Sequence, residues 1–266
     1  MKLPVFLLHR EMAAPVLTLV GASAVSVALL SAKILLSGQW SHGYLIWNLF
    51  LAWLPLLLAL LVCHRYETSA DRGWKFLALC SGWLLFFPNA PYIVTDLIHL
   101  WSRHGRHFWI DLVLVVLFAW IGLILGCLSL WLMQRIVSRV FGGLAGWLFV
   151  AASAGLCGLG VYLGRFLRWN SWDAVLNPLD LLGDIVQPMT NPLAHRHDAL
   201  FIAVFGLFVF LAYSTVYSLI HFRVKIESSA SREASNRDDA GRVPCEINQT
   251  LRTSECIPTK AGTDLA

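Results

Sequence analysis

Tyr92, Asp96, His99 and Arg103 follow one another at i, i+4, i+7 and i+11, with Thr95 beside them. On a helix that spacing sets a phenol, a carboxylate, an imidazole and a guanidinium along one face. Such a set can bind an anion, move a proton or contribute to holding a metal ion. Two other stretches carry comparable groups: FWID, with Asp111, and GRFLRWNSWD, with Arg165, Arg168 and Asp173. All three lie at the ends of apolar runs. A carboxylate so near hydrocarbon is costly unless paired or hydrated, which marks Asp96 as a functional candidate. A structural role is the competing account, with Asp96 capping a helix break or pairing with an arginine to hold a bundle together.

The elements that must position these groups are membrane helices. Only 14% of the 266 residues are charged and 58% are apolar, whereas soluble domains run nearer a quarter charged. Six apolar runs are each long enough to cross a bilayer: 13–36, 44–63, 74–100, 108–133, 141–167 and 199–221. The expected fold is therefore all-α, a polytopic bundle of about six transmembrane helices. The first run is too long for the core of a signal peptide and reads as a retained helix. Residues 223–266 carry seven basic and seven acidic groups, so the net charge of +4 belongs to 1–222. Two parts are expected: a helical bundle over 1–222 and a polar, disordered tail over 223–266. No basic run or aromatic-basic motif points to nucleic acid, and no cysteine pair has CxxC spacing.

The third run is interrupted. Fifteen residues from Trp74 to Pro88 rise only about 22 Å, short of the roughly 30 Å of a hydrocarbon core. Pro88 and Pro91 should break the helix at membrane depth, where freed carbonyls need an internal partner. The side-chain amide of Asn89 is an obvious one.

Alternation of the spans brings the end of the third, the start of the fourth and the end of the fifth to one side. Asp96, His99, Asp111, Arg165, Arg168 and Asp173 can then form one charged cluster, with Arg165 paired to Asp96 or Asp111. Zinc is the weaker reading; Asp96, His99, His104 and His107 have compatible spacing, but HGRHF reads as a hydrated connection. Asn177-Pro178 predicts the start of a short interfacial helix over about 178–187. Paired glycines (Gly122/Gly126, Gly142/Gly146, Gly160/Gly164) mark places of close helix approach.

Basic residues set the expected orientation. With the N-terminus inside, the inner segments hold Lys2, Arg10, Arg65, Arg72, Lys75, Arg135, Arg139, Arg223 and Lys225. The outer ones hold Lys33, Arg103, Arg106, Arg165, Arg168 and Arg196. Both termini are therefore expected in the cytoplasm.

The stretches FFPNAPYIVTDLIHL, FWIDLVLVVLFAWIGLILGCLSL and GVYLGRFLRWNSWDAVLNP occur in that order. Together they resemble the bacterial family of predicted membrane proteins known as domain of unknown function 1361, over about residues 40–220. The resemblance implies a bacterial plasma (inner) membrane protein whose activity is not established. It implies a shared pattern at Pro88, Asn89, Pro91, Tyr92, Thr95, Asp96, Asp111, Arg165, Arg168, Asn170, Trp172 and Asp173. That pattern does not clearly include His104 and His107, which further weakens the metal reading. The tail from Arg223 looks like an addition.

Three functions fit these residues. The first is binding or transport of a small polar or anionic solute or a lipid headgroup, with Arg165 and Arg168 on the anion and Asp96 orienting them. Transport by six spans without a visible inverted repeat would call for a homo-oligomer. The second is a membrane enzyme acting on a lipid-linked cell-envelope substrate, with Asp96 or Asp111 as base, His99 as acid or ligand, and arginines on a phosphate. The third is a structural scaffold. Binding or transport ranks first, the bilayer is the certain partner, and no catalytic residue or cofactor is assigned.

Overall fold

Apolar runs that leave no backbone group unpaired in hydrocarbon must be helices. The computed structural model describes residues 5–38, 40, 42–68, 73–100, 108–169, 176–177, 179–181, 183 and 196–241. Its elements are α1 (Val5–Ser37), α2 (Tyr44–Thr68), α3 (Trp74–Phe86), α4 (Asn89–Tyr92), a 3-10 segment (Ile93–Leu100), α5 (Phe108–Phe141), α6 (Gly143–Arg165) and α7 (Arg196–Gly241). Among the described residues there is no strand. Six stretches are long and apolar enough to cross a membrane, the third being the bent run Trp74–Ile98. The chain is a multi-pass membrane protein of the expected class.

The bend falls where the two prolines were expected to act. α3 stops at Phe86, and Pro91 lacks the N–H that would continue the ladder to Phe87. The Ala90 N–H turns to the Phe87 carbonyl instead (3.2 Å). That leaves the Phe86 carbonyl, which the Asn89 side-chain amide takes at 3.1 Å, as anticipated. After α4 the chain tightens into 3-10 geometry to Leu100.

α5 is the hub. It packs on α1, α2, α4, the 3-10 segment and α6, and most of its apolar surface is turned inward. Glycines let the broken segment seat against its neighbours. A Cβ on Gly122 of α5 would come within 2.5 Å of the Ala90 carbonyl oxygen, and one on Gly160 of α6 within 2.5 Å of the Pro88 ring. α7 packs on α6 through rings, with Phe201 edge-on to Phe166 and Phe210 edge-on to Trp147.

The chain divides into two compact units, residues 1–217 and 218–266. Backbone helix extends over 223–241. A helix already nucleated by an apolar span extends cheaply through residues such as Arg, Glu and Ala. Residues 242–266 lie outside the described residues. So does most of the expected interfacial helix; residues 179–181 and 183 are helical, and the Leu181 N–H bonds the Asn177 carbonyl (3.2 Å).

Candidate functional site

Asp96 sits in the 3-10 segment with 1% of its surface exposed. An ionised carboxylate so buried needs both oxygens served. One accepts from Arg165 at 3.1 Å and the other from the Asn48 amide at 2.7 Å. Arg165 is fixed further by the Thr95 carbonyl (2.9 Å) and the Tyr92 hydroxyl (3.4 Å). Its guanidinium lies 5.7 Å from the centre of the Tyr92 ring. Thr95 donates its hydroxyl to the Tyr92 carbonyl at 2.7 Å. Three spans thus meet at one carboxylate: α2 through Asn48, the broken third span, and α6 through Arg165.

Beside this pair lies a cavity of about 300 Å³. Its polar lining includes Asn48, Asn89, Tyr92, Arg168 and Trp169, on walls that include Leu51, Leu85, Phe86 and Leu163. Asn48 and Tyr92 belong both to the cavity wall and to the Asp96–Arg165 network. Arg168 follows the end of α6 with φ of +61°, an uncommon conformation for a residue with a side chain. Strain of this kind, about 1–3 kcal/mol, persists where the surroundings enforce it and gathers at functional sites.

Among the described members of the expected cluster, the two carboxylates take different cations. Asp111, in the first turn of α5 and 5% exposed, does not pair with Arg165. It is paired with Lys33 from the end of α1, while the Nε2 atom of buried His42 stands 4.0 Å away. Lys33 also lies 3.2 Å from Nδ1 of His42. The physical reason is reach: α1 packs along α5 and delivers its own cation, whereas α6 delivers Arg165 to the 3-10 segment. Arg165 is thus committed to Asp96 inside the bundle, and Arg168 is the arginine on the cavity wall.

The structure brings together Asn89, Tyr92, Thr95, Asp96, Arg165 and Arg168 from the expected set, and pairs Asp111 with Lys33 instead. Asn170, Trp172, Asp173, His104 and His107 lie outside the described residues, as does the side chain of His99. Among the described residues no three His, Cys, Asp or Glu side chains gather as a metal would need. Sequence reasoning missed Asn48, Lys33 and His42. Alternation does place the α1–α2 connection at the same end of the bundle as Asp96, but it does not say which way these side chains face.

A match to the family described as "Protein of unknown function (DUF1361)" covers residues 47–212, and the chain belongs to that family. The matched region contains the bend, both buried carboxylates and the cavity lining, and leaves out Lys33 and His42. No curated protein and no solved structure matches the chain.

Proposed function

We propose that this member of the family binds a small anionic group in the cavity beside the broken third span. The observation that carries the reading is the polar part of the lining of that space: Arg168, with Asn48, Asn89, Tyr92 and Trp169 around it. In a cavity of about 300 Å³, at the lower end of ligand-site sizes, few donors suffice to hold and orient an anion. Behind the wall, Asp96 and Arg165 neutralise each other, so Arg168 supplies the charge that faces the ligand.

Binding is favoured over catalysis because, among the described residues lining the cavity, none is a carboxylate, histidine, cysteine or serine. Of the two carboxylates expected to act as base, Asp96 is buried behind Asn48 and held by two donors, and Asp111 is paired with Lys33. Interrupted helices are where transporters place anion sites, which supports a role in moving the ligand.

We place the protein in the bacterial plasma membrane with both termini in the cytoplasm. Support comes from the loop charges. Lys33 and Arg165 are engaged inside the bundle, and without them the outer set falls to Arg103, Arg106, Arg168 and Arg196 against nine inner residues.

The test is thermal unfolding of purified protein in the presence of inorganic phosphate or sn-glycerol 3-phosphate. The expected outcome is a saturable rise in Tm that Arg168→Gln abolishes and Arg139→Gln, at the other end of α5, retains. No saturable rise, or an equal rise in Arg168→Gln, would overturn the reading.

A further inference from the structure

We infer that the anion is the headgroup phosphate of a lipid whose apolar chain leaves the cavity between α2 and α6. The inference rests on the anion-binding reading and names its ligand class. Three observations carry it.

The lining is sorted by depth. Arg168 and Trp169 lie beyond the end of α6, and Asn48 is in the first turns of α2. Leu51, seven residues into α2, lies roughly 10 Å below that helix end. Leu85 and Phe86 close the same level from α3. Half a hydrocarbon core is about 15 Å, so the floor of the cavity reaches acyl-chain depth while its polar rim stays near headgroup level.

One rim borders lipid. Trp47 lines the cavity and is 54% exposed, in line with the exposed Phe50, Leu57 and Leu61 of α2. On a membrane helix such a stripe faces hydrocarbon. α2 and α6 both pack on α5 and border the broken segment, and among the described residues they make no extended contact with each other. A lipid chain bound at Arg168 would leave the cavity between these two helices.

The walls suit an amphiphile better than a free ion. A hydrated phosphate entering between Leu51, Leu85, Phe86 and Leu163 would shed water without compensation on those sides. A lipid phosphate places its charged end at Arg168 and covers the same apolar side chains with its own chain, removing apolar surface from water.

The experiment compares two probes on the purified full-length protein: sn-glycerol 3-phosphate, and dihexanoyl phosphatidate below its micelle concentration. Half-saturating concentrations are read from thermal shift. The expected result is that the acylated probe saturates at least tenfold lower, that Arg168→Gln weakens both probes, and that Leu51→Asn narrows the gap between them. Equal half-saturation of the two probes overturns the lipid inference and leaves the anion reading standing. An acylated response unchanged in Arg168→Gln marks detergent-like adsorption and also overturns it. Absence of any saturable response removes both.

Discussion

Asp96 and Asp111 are the same residue type, at the same end of one bundle, almost equally buried, and each is paired with one cation. Their partners differ. Asp111 takes Lys33 from α1 with His42 alongside, so it ties α1 to the central helix. Asp96 takes Arg165 and Asn48, and its network shares Asn48 and Tyr92 with a cavity wall. The Lys33 and His42 partners also lie outside the region matched by the family, whereas every described member of the Asp96 network lies within it. A buried carboxylate is therefore not informative alone; what stands on the far side of its partners decides whether it fastens helices or builds a site.

The sharpest way to break this contrast is to strip each carboxylate of its cation. Arg165→Gln leaves Asp96 charged and buried, and should lower stability by about 3–5 kcal/mol in reversible unfolding in mixed detergent. Adding Asp96→Asn should recover part of that loss, because the uncompensated charge is gone. Lys33→Met should cost less, about 1.5–3 kcal/mol, the scale of a hydrogen bond to a charged group, since His42 remains near Asp111. A larger loss for Lys33→Met than for Arg165→Gln would reverse the roles assigned to the two sites.

Smaller effects probe the bend that puts Asp96 where it is. Gly122→Ala pushes a methyl against the Ala90 carbonyl and should cost about 1–3 kcal/mol. Gly155→Ala, in α6 with nothing near the added atom, should be neutral or stabilising by up to about 1 kcal/mol. Asn89→Ala removes the donor to the Phe86 carbonyl and should cost about 1 kcal/mol in the same unfolding measurement.

Much of this was legible in the chain. Span lengths and two prolines three apart predict a bent third span, because helix rise and bilayer thickness leave no alternative. A partner for Arg165 in Asp96 or Asp111 follows from alternation, since all three residues fall at the same end of the bundle; the choice of Asp96 is made by packing. Asn48 was not legible. A lone amide in an apolar run has no periodic mate, and whether it faces lipid or Asp96 depends on the rotation of α2 about its axis. Lys33 was read as a loop charge for orientation because it sits near a helix end; only the packing of α1 on α5 turns it inward.

The central claim is that the cavity beside Asp96, and not the Asp111 cluster, holds the anion. Equilibrium dialysis of radiolabelled sn-glycerol 3-phosphate against the purified protein tests it directly. The account predicts about one ligand per chain, lost in Arg168→Gln and retained in Lys33→Met. Undiminished binding in Arg168→Gln, or loss of binding in a folded Lys33→Met, would contradict it.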